Sequence, residues 1–86
     1  MADLPSYDDL SDALAQAAEA HHDYERVILK GVGDEAWPAF HAAFVLGRFG
    51  DFVSASRLTR LLEEVDDDVD DWALEAAEYV RRKLTA

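Results

Sequence analysis

Between Tyr7 and Ile28, apolar and semi-apolar side chains recur in steps of three and four: Tyr7, Leu10, Leu14, Ala17, His21, Tyr24 and Ile28. Steps of that size put every member on one face of an α-helix, so the stretch predicts a first helix of about six turns, roughly 33 Å long. Such a helix is wet on one side and needs a packing partner on the other. Ser6 stands at the N-cap position, with acidic residues just after it where the positive helix end favours them. The pattern stops near Leu29, where Lys30 and Gly31 form a helix exit. Gly31-Val32-Gly33 is a short turn, so a second helix must return antiparallel to the first.

Asp34 to Trp37 reads as a capping turn and Pro38 to about Gly47 as the second helix, because proline suits the first helical turn and disfavours helical geometry at the residue before it. Its core face is predicted to hold Trp37, Phe40, Phe44 and Leu46, with Trp37 anchored near His21 and Tyr24. Gly47 and Gly50 bracket Arg48-Phe49 and mark a tight link. A third helix starts at Asp51 or Ser54 and carries the stripe Ala55, Leu58, Leu61, Leu62 and Val65. A fourth, from about Asp70 to Leu84, uses Trp72, Ala76, Tyr79, Val80 and Leu84. It ends in Arg81, Arg82 and Lys83, which match the negative helix end. The run Asp66-Asp67-Asp68-Val69-Asp70-Asp71 between them would repel itself inside a helix but suits the approach to an N-terminus.

These elements predict one all-α domain over residues 1–86: an antiparallel four-helix bundle-like fold made of two helical hairpins. Setting Trp37 against Trp72 also brings Ala42 opposite Ala77, Phe44 opposite Tyr79 and Val45 opposite Val80. An internal duplication would leave that trace, although the residue pattern of helical repeat proteins is absent.

Composition sharpens the picture. Half of the chain is hydrophobic, much of it alanine, so the aromatic residues must supply most of the core or interface area. There is no cysteine, which rules out disulfides and thiolate metal sites and makes a cytoplasmic setting the expectation. The Met-Ala-Asp-Leu-Pro start lacks the basic and apolar segments of a signal peptide, and the most apolar stretch, Ala36 to Leu46, is too short to span a bilayer. Eight basic against 19 acidic residues give a net charge of −11, a field that repels nucleic acid and anionic membranes and attracts basic proteins and cations.

Ala20-His21-His22-Asp23-Tyr24-Glu25, followed by Asp34-Glu35-Ala36-Trp37-Pro38-Ala39-Phe40-His41-Ala42, resembles a pattern found in short bacterial helical proteins. Those proteins often carry an aromatic-Ala-x-aromatic stretch after the Trp-Pro pair, from which Phe40-His41-Ala42-Ala43-Phe44 departs in detail. The resemblance implies a helical fold type and no activity.

Candidate chemistry is sparse. The sharpest candidate is Glu19-Ala20-His21-His22 with Glu25: Glu19 and His22 form a Glu-x-x-His pair on adjacent helical turns, the spacing used by helical carboxylate metal sites, and His41 could add a ligand from the second helix. Only one such pair exists, however, and His21 rather than His22 falls on the core stripe. A calcium loop opening at Asp66, Asp68 and Asp70 fails because Asp71 stands where glycine is required and Ala77 where the closing glutamate belongs. The serines are explained as caps or exposed helix positions, and no glycine-rich phosphate loop is present. No cofactor and no enzymatic activity are expected.

The reading that follows is a small acidic protein-interaction module that forms a homodimer and binds a basic protein partner, without direct contact to nucleic acid or membrane. Val45, Phe49, Phe52 and Val53 find no obvious place in the core and are the expected dimer interface. The alternatives are a metal-binding protein using Glu19, His22 and His41 across a dimer, and a nucleic-acid mimic that occupies a basic protein's binding groove.

Overall fold

The computed structural model describes residues 2–31, 33, 36–66 and 69–85. They form four helices: α1 (Tyr7–Val27), α2 (Trp37–Phe49), α3 (Ala55–Glu64) and α4 (Trp72–Thr85). No strand occurs among the described residues. The radius of gyration, 12.4 Å, is close to the value of about 12 Å expected for a compact chain of this length. No helix among the described residues is long and apolar enough to cross a membrane.

Helix α1 begins as its sequence requires. The Ser6 hydroxyl accepts from the Asp9 backbone N–H at 3.1 Å, with Asp8 and Asp9 in the first turn. Leu10, Ala13, Leu14, Ala17 and His21 are buried, the spacing of a single face. Ser11 is also buried, and its hydroxyl donates to the Asp8 carbonyl at 3.0 Å, so its polar group is satisfied. The predicted stripe is longer than the buried one: Tyr7, Tyr24 and Ile28 are exposed. Its exit uses Lys30 and Gly31, both in the left-handed region (φ 54° and 88°), and the Gly31 N–H donates to the Glu25 carbonyl at 2.8 Å.

Helix α2 departs from expectation in length and rotation. It starts at Trp37, with Pro38 in its first turn, and runs through Gly47 to Phe49. Gly50, at φ 85°, provides the stop. Of the glycine pair read as bracketing a link, only Gly50 breaks the helix. The buried face is Pro38, His41, Ala42, Val45 and Leu46, whereas Trp37, Phe40 and Phe44 are half-buried on its flanks. α2 packs against both α1 and α3. Small and branched side chains at those contacts let backbones approach, and bulky rings are displaced to the edges. Trp37 accordingly packs on His41 and Trp72, and Phe40 occupies the place beside His21 and Tyr24 that the sequence suggested for Trp37.

Ser54 caps α3 by accepting from the Arg57 N–H at 3.2 Å, and Leu58, Leu61 and Leu62 form its buried face. α4 opens on the Asp71 carbonyl, which accepts from the backbone N–H groups of Leu74 and Glu75. Asp71 itself sits at φ 55°, a region that aspartate tolerates better than most residues. Asp67, Asp68, Val32, Asp34 and Glu35, which the sequence reading assigned to turns and acidic caps, lie outside the described residues. Ala76, Ala77 and Val80 are buried on α4, while Leu74, on the far side from Trp72, is 42% exposed.

α1 packs against α2 and α4, and α3 packs mainly against α2 with a smaller contact to α4. The core is therefore shared by all four helices, centred on Leu10, Leu14, Val45, Leu58, Leu62 and Val80. Val45 has no exposed surface and Phe52 is 8% exposed, so both belong to this core, and Phe49 and Val53 pack against its margin. The apolar corner expected as a dimer interface is consequently covered in large part by the chain's own helices. Phe52 lies in the link between α2 and α3, so helical periodicity could not reveal its burial.

Candidate functional site

The second half of α1 and the first turns of α2 and α4 converge on a cluster of rings. Helical spacing on α1 puts His21 and Glu25 one turn apart. On α2, His41 follows Trp37 at the same spacing, and α4 contributes Trp72 from its first residue. The Trp37 and Trp72 ring centroids are 5.4 Å apart at 81°, an edge-to-face pair, and His41 meets both rings edge-on at 5.4 and 5.3 Å. His21 adds its ring 5.5 Å from that of His41 and 4.8 Å from Phe40. Beside this cluster is an open cleft of about 370 Å³, lined by His21, His22, Glu25, Trp37, His41 and Trp72.

His41 is the best-defined polar group in the cleft. Its Nδ1 lies 2.8 Å from the Trp37 carbonyl, which can only accept, so Nδ1 carries the proton and Nε2 of the neutral ring keeps its lone pair. Burial lowers the His41 pKa; the Trp37 hydrogen bond opposes the shift and the charge of His21 adds to it. At neutral pH the ring is uncharged. Trp72 shows the reverse condition: its indole Nε1 is buried and finds no acceptor. A buried N–H left without a partner costs about 1–3 kcal/mol.

The candidate metal ligands are divided between two environments. Glu19 and His22 are exposed on α1 and line a separate depression with Asp23. His22 also borders the cleft that contains His41, but His41 is 4% exposed and enclosed by rings. Among the described residues, no group of three or more histidine, aspartate or glutamate side chains is placed to hold a metal ion. The one-turn spacing that unites Glu19 and His22 says nothing about the depth of His41 on a neighbouring helix.

Trp72 is the cleft residue that the sequence did not mark for chemistry, whereas Glu25 already stood beside the Glu19-to-His22 motif as part of that candidate. The alignment of Trp37 with Trp72 was the available signal, since it placed an indole at the start of two helices that meet here. A second polar contact lies elsewhere: the Tyr79 hydroxyl donates to a Glu64 carboxylate oxygen at 2.8 Å, and that hydrogen bond raises the Tyr79 pKa. No protein family, curated protein or solved structure matches the chain.

Proposed function

We propose that this chain is a small acidic protein-interaction module that self-associates and engages a basic protein. The observation that carries the reading is where the charge lies. Every described aspartate and glutamate is exposed except Glu25, which is half-buried. Four of the eight basic side chains are already engaged within the chain. Arg26 pairs with Asp23 at 3.5 Å and Arg82 with Glu78 at 3.9 Å, Arg48 donates to Gln16, and Arg81 donates to the Pro5 carbonyl at 3.0 Å. The acidic surplus thus faces solvent, where it speeds encounter with a positive partner and contributes little to the fold itself.

The architecture for this module is an antiparallel bundle of two hairpins. Phe40, early in α2, meets Tyr24, late in α1; Arg48, late in α2, reaches Gln16; and Arg81, late in α4, reaches Pro5 ahead of α1. These pairings support opposed directions for α1 and its neighbours. The meeting of Trp37 with Trp72 is in keeping with a duplicated hairpin.

Self-association needs an apolar surface. Tyr24, Val27 and Ile28 provide one at the end of α1, at 38%, 58% and 61% exposure, and it takes over the role first given to Val45, Phe49, Phe52 and Val53. Co-precipitation from a lysate at low and moderate salt, beside an unrelated protein of equal net charge, tests the basic-partner reading. Recovery of a basic polypeptide at low salt alone is expected; recovery of nothing beyond the control would overturn it.

A further inference from the structure

Glu25 is the one described carboxylate withdrawn from the open surface, and it is withdrawn into the cleft that Trp37 and Trp72 wall at nearly a right angle. Indole faces attract cations through their quadrupoles, and a planar guanidinium stacks on them while its N–H groups reach a carboxylate. The rest of the molecule adds a strongly negative field, which concentrates cations at any such pocket. The imidazole nearest the indoles does not oppose this, because His41 is held neutral by burial. The remaining feature is the buried Trp72 Nε1–H without an acceptor. An entering peptide brings a carbonyl at every residue, the acceptor that this N–H lacks.

We infer that the cleft receives an arginine side chain from an extended segment of the basic partner, its guanidinium set against the indoles and Glu25 and a peptide carbonyl accepting from Trp72 Nε1–H. This rests on the acidic-module reading and specifies where on that module the partner is gripped. The diffuse negative surface brings the segment in, and the cleft selects the cation that combines charge with a flat face.

A labelled hepta-arginine amide serves as the probe, titrated at low salt into the wild-type chain and two charge-matched variants. Glu25→Gln removes the cleft carboxylate, and Glu63→Gln removes one on the exposed surface of α3. Loss of a charge-assisted hydrogen bond predicts a drop of about tenfold or more for Glu25→Gln and less than about threefold for Glu63→Gln. In parallel, the indole N–H resonance of Trp72, assigned with Trp72→Phe, is followed in wild-type protein during the titration and is expected to shift. Peptide binding that weakens equally in both glutamine variants, or that leaves the Trp72 indole signal unmoved, overturns the cleft while leaving the acidic-module reading in place. Failure of the wild-type chain to bind the peptide even at low salt overturns both.

Discussion

His41 shows how a single residue changes meaning between sequence and fold. The sequence makes it legible as a possible ligand from the second helix, but its ring lies in a stack supplied by three helices, and that depth is a tertiary property. In the unfolded chain it titrates near 6.5, and in the fold its pKa is lowered. The fold therefore favours the neutral ring. This contribution is present in full above about pH 6.5 and is lost as pH falls through the folded value. The groups facing it are His21, His22 and Glu25 from α1 and the indole of Trp72 from α4. Urea unfolding at about pH 7.5 and about pH 5.5 should show a loss of stability on acidification that is smaller in His41→Leu. Equal losses in both proteins would show that His41 is not responsible. Trp37 carries a similar lesson: an aromatic at the start of a helix is visible, but which helix it leans on is not, and it leans on Trp72 of α4 rather than on α1.

Element boundaries follow from local chemistry and were accordingly the most legible part of the fold. Ser6, Ser54, Gly31 and Gly50 each act at a helix end through hydrogen bonds or left-handed backbone that involve only near neighbours. Ser54→Ala should cost about 1 kcal/mol, measured by thermal or urea unfolding, since one N–H at the start of α3 loses its acceptor. Rotation was legible on α3 and obscure on α2. α3 buries the Leu58, Leu61 and Leu62 stripe as its period requires, and α2, held between α1 and α3, keeps its phenylalanines half-buried on its flanks. Leu62→Ala should therefore cost about 2–5 kcal/mol. Leu74→Ala, on the open side of α4, should change stability by no more than about 0.5 kcal/mol. Similar losses at the two positions would contradict the assigned faces.

For the whole molecule, charge and shape act in opposite directions. A net charge of −11 on so small a body repels itself, so raising sodium chloride from low to moderate concentration should raise the melting temperature; a fall would mean that attractive pairs outweigh the repulsion. Dimer formation must work against the same field. Sedimentation equilibrium at moderate salt should give a dimer mass for the wild-type chain and a monomer mass for Ile28→Asp, with helical content unchanged; a monomeric wild type would rule out self-association. The sequence could announce the charge, because composition needs no coordinates, but not the site of the apolar patch, which depends on what the chain covers by itself. Finally, the Arg81 guanidinium donates to the Pro5 carbonyl across 76 positions of sequence, so the last turn of α4 lies beside the approach to α1. The order in which the helices are strung is then largely a matter of connection. A circular permutant that joins Thr85 to Ala2 by a short flexible linker and opens the chain after Gly31 should keep the same four-helix packing, and it would relocate the chain ends to the rim of the ring cluster.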